Sequence, residues 1–210
     1  MKGLANPDSK IYALLNKLVL LMELNILVFL CCIPVVTAGA AMCSMHTVLL
    51  KIYRNEDKRV VTDFFHAMKA NFKNGTILWM LFLLYTGILA GLWGMSGGWA
   101  YEGAVYVLCS LLLAGVIGFL YLTWALILQS RYVYTVAQSL KYALLAWMQH
   151  PGSTFVYLIS AAIPALLCFS VQTMPLVFMI GITLPQFIST TLYSRVFNKM
   201  EGIPDTLPEL

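Results

Sequence analysis

Long parts of this sequence contain no charged residue. Charged side chains make up 10% of the 210 residues and apolar side chains 60%, whereas ordinary soluble domains have about 25% and about 45–50%. Neither Asp, Glu, Lys nor Arg occurs in 24–50, 74–101, 103–130 or 142–194. Each helix or strand of a soluble fold needs a polar face, so intervals of this length exclude a water-soluble domain. Because about 20 apolar residues form a helix that crosses the hydrocarbon core, the sequence predicts an integral membrane protein.

Signatures of enzymes and metal proteins are also missing. The sequence contains no Walker A, HExxH or GxSxG motif, and no predicted span carries paired carboxylates. The five cysteines lie in apolar segments without a CxxC pair, which favours small buried side chains over a metal site. We therefore predict no enzyme activity, no catalytic residue, no cofactor and no metal. The net charge of +4 is typical of membrane-topology signals and does not suggest nucleic acid.

Four membrane-spanning helices follow directly from the apolar runs. They are expected at about 75–95, 104–128, 153–171 and 176–193. Each run has roughly the length that a helix needs to cross a bilayer of about 30 Å. The chain has no polar block large enough for a separate soluble domain, so we expect one transmembrane domain over 1–210.

The apolar region before these four runs is interrupted by a turn motif that contains Pro34, Thr37 and Gly39. Proline ends or kinks the helix that precedes it, and threonine is a favourable N-cap for the helix that follows. These residues predict two segments, at about 12–33 and 38–53. The segments form either a hairpin or a re-entrant pair, whereas a single crossing would leave five spans in the whole chain.

The positions of the basic residues favour six segments over five. With six, both termini lie in the cytoplasm and all thirteen Lys and Arg residues face it. With five, the three N-terminal lysines lie outside, against the positive-inside rule. Ala38-Gly39-Ala40 fits a signal-peptide cleavage site, but Glu23 interrupts the apolar run before it, so we expect this segment to be retained. The predicted fold is an all-α polytopic transmembrane helical bundle of six membrane segments.

Two cytoplasmic connectors, 54–73 and 129–152, carry amphipathic patterns that predict interfacial helices at 60–73 and 131–149. Asn74-Gly75 is expected to end the first of them. Such helices are structural connectors in one interpretation and a docking site for a cytoplasmic partner in the other. The candidate docking residues are Lys51, Arg54, Asp63, Lys69, Lys73, Arg131 and Lys141.

Glu23 and His46 are the ionisable residues expected inside the membrane, and they lie at similar distances from Pro34 along the chain. With Asn25 they form a candidate intramembrane polar site. A protonatable Glu–His pair suits proton coupling or a polar gate. In the alternative, Glu23 lies near the headgroups beside Lys17 or is held neutral by Asn25, and His46 is hydrogen-bonded internally.

A glycine motif, GxxxG at Gly87–Gly91, lies within one predicted span. Small residues at this spacing let helices approach closely. Contact with a neighbouring helix is the first interpretation, and a homo-oligomer is the second.

One group of motifs resembles a known family. The run from Leu30 to Ala41, then Asp63-Phe64-Phe65, Asn71-Phe72-Lys73 and Gly75–Trp79, is similar to the YesL-like family of small bacterial membrane proteins, whose function is not known. The resemblance implies a location in the bacterial cytoplasmic membrane and an association with carbohydrate uptake. It supplies no catalytic residues.

Two functions remain open at this point. The first is a non-enzymatic accessory or regulatory component that contacts permease or ATPase subunits of a sugar ABC transporter. The alternative is a small secondary transporter or channel with a polar path near Glu23 and His46. In either case the lipid bilayer surrounds most of the chain.

Overall fold

The computed structural model describes residues 10–56, 59–97, 103–132, 134–168 and 171–201. Within these ranges the chain is helical apart from short connections and has no β-strand, which confirms the predicted all-α bundle. The helices are α1 (Lys10–Cys32), α2 (Ala38–Tyr53), α3 (Val60–Met95), α4 (Ala104–Arg131), α5 (Val136–Gln149), α6 (Pro151–Leu167), α7 (Met174–Leu176) and α8 (Thr183–Glu201).

The turn motif at Pro34 separates α1 from α2. A short 3-10 turn, Val35–Thr37, joins the two helices, which pack against each other through a buried apolar cluster. The Thr37 hydroxyl donates to the carbonyl oxygens of Cys31 at 2.6 Å and Pro34 at 2.9 Å. Thr37 is therefore at the N-cap position of α2, but its hydroxyl bonds backward, to carbonyl oxygens at the end of α1 and in the turn, and does not cap α2.

The segment 60–73 is not a separate interfacial helix, because α3 runs without a break from Val60 to Met95. The end expected at Asn74-Gly75 is absent, and both residues make tertiary contacts instead. The side-chain amide of Asn74 donates to the carbonyl oxygen of Tyr134 at 2.9 Å. Gly75 lies against Gly39 of α2, where an added Cβ on Gly39 would stand 2.3 Å from the Gly75 carbonyl oxygen. The two glycines let α2 and α3 cross with their backbones in contact.

The length of α3 exceeds the thickness of the hydrocarbon core. A helix of 36 residues is about 54 Å long, against about 30 Å for the core. The charged side chains of α3, Asp63, Lys69 and Lys73, all lie in its first four turns. The beginning of α3 therefore projects beyond the apolar part of the membrane.

The second amphipathic segment is a separate helix, α5, and a capping box fixes its start. The backbone amide of Gln138 donates to the Thr135 hydroxyl at 3.4 Å, and the backbone amide of Thr135 donates to the side-chain oxygen of Gln138 at 3.0 Å. Because α4 continues to Arg131, α5 begins at Val136, five residues later than expected. Val133, one of the apolar residues in the amphipathic pattern at 131–149, lies outside the described residues.

The last part of the chain is less regular than the sequence predicts. The expected span at 153–171 is a helix that ends at Leu167. A 3-10 turn, Val171–Thr173, leads into α7, and a π-helical segment, Val177–Gly181, then separates α7 from α8. The expected span at 176–193 is therefore helical, with a π-bulge near its start and an end that reaches Glu201.

Among the described residues, five helices are long and apolar enough to cross a membrane. They include both arms of the N-terminal pair, Ile11–Cys32 and Val35–Tyr53. Six were expected, and the difference is α6, which has 17 residues, fewer than the roughly 20 of a typical span. Large apolar side chains cover much of the described surface, as shown by Leu84 and Leu113, each 63% exposed. A surface of this kind suits lipid rather than water, and the chain is a multi-pass membrane protein.

Candidate functional site

Asn25 connects α1 to the irregular segment before α8. Its side-chain amide donates to the carbonyl oxygens of Val177 at 3.1 Å and Phe178 at 2.7 Å. Its side-chain oxygen accepts from the backbone amides of Ile182 and Thr183, both at 3.1 Å. Asn25 is fully buried, so one side chain holds four backbone groups of the π-bulge. We call this arrangement the Asn25 clamp.

The clamp satisfies backbone groups that the π-bulge exposes. A π-helical segment breaks the regular i to i−4 ladder, and Pro185 has no amide hydrogen to restore it. In a bilayer each such group needs a partner within the protein. The Thr183 hydroxyl adds a bond to the carbonyl oxygen of Leu21 at 2.9 Å. Since an asparagine side chain has two donor hydrogens and two acceptor sites, the clamp leaves neither donor for Glu23.

His46 lies apart from the Asn25 clamp, on the face of α2 that packs against α6 and α8. It is 1% exposed, and its Nδ1 is 3.4 Å from the hydroxyl of Tyr193. That hydroxyl is 2.8 Å from the hydroxyl of Thr190. The His46 ring also lies 6.1 Å from the ring of Tyr157 and 5.8 Å from that of Tyr193, centroid to centroid. His46 is therefore hydrogen-bonded internally, as one of the two sequence interpretations expected.

Further polar side chains continue from His46 across the bundle. The Tyr157 side chain lies beside those of Thr123 and Gln186, and the hydroxyls of Ser189 and Ser160 are 2.8 Å apart. We call this group the polar core; its members are His46, Thr123, Tyr157, Ser160, Gln186, Ser189, Thr190 and Tyr193. The polar core brings together side chains of four helices, α2, α4, α6 and α8, and hydrogen bonds such as those of His46 and Ser189 are costly to leave unmade in lipid.

Glu23 makes no hydrogen bond or ion pair with the described residues of the Asn25 clamp or the polar core. It lies half-buried on α1, whereas Asn25 is occupied by the π-bulge and His46 by Tyr193. The sequence therefore identified two real polar positions, Asn25 and His46, but they belong to separate clusters. Hydrogen bonds do not join them to each other.

Of the polar core, only His46 was predicted from the sequence as a site residue. Four of its members lie on α8 at Gln186, Ser189, Thr190 and Tyr193, at spacings of three and four residues that repeat on one helix face. A polar stripe of this kind inside an apolar helix is a recognisable signal. Because the stripe carries no charge, a pattern of ionisable residues does not reveal it.

The chemistry available to the polar core is hydrogen bonding. It contains hydroxyl, amide and imidazole groups and no carboxylate, and the described residues contain no cluster of His, Cys, Asp and Glu that could hold a metal ion. One acceptor is left over, because the side-chain oxygen of Gln186 is buried without a hydrogen-bond partner among the described residues.

Three of the candidate docking residues, Lys51, Asp63 and Arg54, take part in ion pairs within the chain. Lys51 Nζ lies 2.7 Å from Asp63 Oδ1 and ties the end of α2 to the start of α3. Arg54 lies 3.8 Å from the Glu56 carboxylate. These side chains are partly exposed, but their charges are compensated within the chain.

The remaining candidate docking residues are less constrained. The Arg131 guanidinium lies 5.4 Å from the ring centroid of Phe197, in a cation–π contact. Lys69, Lys73 and Lys141 are exposed and make no ion pair with the part of the chain that the structure describes. Their charges are therefore available to something outside the chain.

Comparison with known proteins gives one match. Residues 13–91 match the model of a family described as a protein of unknown function, DUF624. This part includes most of α1, all of α2 and most of α3. It contains Gly39 with Gly75, and also Asn25 and His46, but not the partners of Asn25 and His46 at 177–193. No curated protein and no solved structure matches the chain. Over its first three helices the chain is thus similar to a family without a known function, and the YesL-like name stays a prediction.

Proposed function

We propose that the protein is a non-enzymatic accessory or regulatory component of a carbohydrate uptake system in the bacterial cell membrane. It would contact permease or ATPase subunits of a sugar ABC transporter at the cytoplasmic face. The link to carbohydrate uptake rests on the sequence resemblance alone. The mode of contact rests on the geometry of α3.

The supporting observation is the composition of the first four turns of α3. Val61, Phe65 and Phe72 are 42%, 50% and 45% exposed, and the free cations Lys69 and Lys73 lie on the same four turns. This part of α3 projects past the hydrocarbon core, as its length requires. Exposed aromatic rings beside uncompensated cations suit an acidic amphipathic segment of a partner.

The interior of the bundle favours a binding role over a carrier role. The polar core is closed by direct contacts between side chains, as between Ser160 and Ser189 or Tyr193 and Thr190. Two cavities, of about 490 Å³ and about 440 Å³, are lined mainly by apolar side chains instead. A sugar path needs several polar groups that face a cavity.

The test is isolation of the protein from native membranes of its own organism, followed by identification of the proteins that remain bound. The double variant Lys69→Glu, Lys73→Glu should lose sugar-transporter subunits that the unaltered protein retains. Lys141→Glu, the same type of charge reversal on α5, is the control and should retain them. Equal retention by both variants, or no transporter subunit with the unaltered protein, contradicts the proposal.

A small secondary transporter is the second candidate, and the buried oxygen of Gln186 is the observation that favours it. An unpartnered acceptor inside the bundle could accept a hydrogen bond from a substrate hydroxyl. Liposomes that contain only this chain would then show proton-dependent sugar uptake. Gln186→Leu should abolish that uptake, whereas the accessory role predicts no uptake in either case.

A further inference from the structure

An apolar groove lies between α3, α4 and α5. Its volume is about 490 Å³, within the range of about 300–1,000 Å³ that is typical of ligand sites. Leu78 and Leu81 of α3, Ile117 and Leu122 of α4, and Leu144 of α5 are among the residues that line it. Two of its walls are spanning helices, and the third is the amphipathic helix. The groove therefore begins at the level of α5 and extends toward the middle of the membrane.

Two tyrosines line the groove without making it polar. The Tyr85 hydroxyl donates to the carbonyl oxygen of Ala114 at 2.8 Å, and the Tyr121 hydroxyl donates to that of Leu140 at 2.7 Å. Gly118 makes room for the Tyr85 ring, because an added Cβ there would lie 2.3 Å from a ring carbon. With both hydroxyls bonded to backbone, the rings offer only carbon to an occupant. A hydrocarbon chain matches such a lining.

Lys141 supplies a positive charge at the α5 end of the groove and makes no ion pair with the residues that the structure describes. Between Phe64 and Met200 the only carboxylate in the sequence is Glu102, in the connection between α3 and α4. The start of α3, the end of α4 and α5 meet at one end of the bundle, as the Asn74–Tyr134 bond requires. Lys141 is exposed there, next to Leu140 and one turn before Leu144, which both line the groove.

We propose that the groove holds one acyl chain of an anionic glycerophospholipid, with the lipid phosphate at Lys141. The apolar lining selects a hydrocarbon chain, and the exposed lysine at the α5 end selects a negatively charged headgroup over a zwitterionic one. This site does not depend on the proposed function, because it uses Lys141 and not the Lys69–Lys73 surface.

The test is native mass spectrometry of the full-length protein from detergent with equal amounts of phosphatidylglycerol and phosphatidylcholine. The unaltered protein should retain one phosphatidylglycerol. Lys141→Gln should bind this lipid about fivefold more weakly, since it loses one headgroup contact. Ile117→Trp should retain no lipid, because the indole fills the groove; Ile117 is 40% exposed, so the fold should tolerate the change.

Lys69→Gln is the matched control, because it removes the same charge elsewhere. Lys69 lies about two and a half turns before Leu78 and so on the opposite side of α3. It should retain phosphatidylglycerol as the unaltered protein does. Unfolding midpoints in lipid-free detergent check that all variants are folded. Equal retention of phosphatidylcholine, equal loss with Lys69→Gln and Lys141→Gln, or a retained adduct in folded Ile117→Trp would each overturn the site.

Discussion

Replacing Gly39 with alanine tests the crossing of α2 and α3. A Cβ at this position would lie 2.3 Å from the carbonyl oxygen of Gly75 and 2.5 Å from Cβ of Trp79. The first atom belongs to the backbone and the second is bonded to it, so neither can turn away and the helices must separate. Overpacking costs about 1–3 kcal/mol, and the better helix propensity of alanine returns about 1 kcal/mol. Because an approach of 2.3 Å to a backbone atom belongs to the upper part of that range, about 2–3 kcal/mol, we expect the free energy of unfolding to fall by about 1–2 kcal/mol.

Two further glycines of the same bundle supply matched comparisons. A Cβ on Gly75 would lie 3.0 Å from Cα of Ala40, a milder overlap that a small shift relieves, so Gly75→Ala should lose less than Gly39→Ala. A Cβ on Gly91 would meet nothing within 4 Å in the described chain. Gly91→Ala should therefore be neutral, or more stable by up to about 1 kcal/mol through helix propensity.

The assay is equilibrium unfolding of the purified protein in mixed detergent micelles, followed by circular dichroism as the fraction of denaturing detergent rises. The expected order of stability is Gly91→Ala at the top, then Gly75→Ala, then Gly39→Ala. If Gly39→Ala were as stable as the unaltered protein, or Gly91→Ala lost as much as Gly39→Ala, the proposed close crossing would be wrong.

The same unfolding assay tests two other contacts. Asn25→Ala removes four buried hydrogen bonds, and at about 0.6 kcal/mol for each bond between helices in a bilayer it should cost roughly 2 kcal/mol. Asn16→Ala, on the same helix, is the control, and an equal loss from both would refute the Asn25 clamp. The Lys51–Asp63 pair is partly exposed, so a double-mutant cycle with Lys51→Met and Asp63→Asn should give a coupling energy below about 1 kcal/mol that falls with added salt. No coupling at low salt would mean that the pair does not form.

Most of the spans and the hairpin of α1 and α2 could be predicted because their causes are local. Uncharged runs of sufficient length indicate helices in lipid wherever they occur. Pro34 and Thr37 mark a turn by their own chemistry, and α2 runs from Ala38 to Tyr53, the segment expected from the sequence.

The continuity of α3 could not be predicted in the same way. Asn74-Gly75 is a local signal for a helix end, and in isolation it would favour one. Gly75 is held within the helix by its contact with Gly39, 36 positions earlier, and Asn74 by its bond to Tyr134. Tertiary packing therefore decides the conformation of this dipeptide.

The Asn25 clamp shows the same limit for the candidate site. Asn25 was identified as a polar residue in a span, but its partners lie more than 150 positions away. The π-bulge that it holds leaves no pattern in the residues Val177–Gly181. The interpretation that pairs Glu23 with His46 relied on their similar distances from Pro34, which set depth along the helices but not the direction in which a side chain points.

The most direct test of the membrane arrangement is the location of the two chain ends in intact cells. Reporter proteins that are active only on one side of the membrane would be fused after Gly3 and, separately, after Leu210. With an even number of crossings and all thirteen basic residues on one side, both reporters should report the cytoplasm. Reporters on opposite sides of the membrane would contradict the six-segment arrangement.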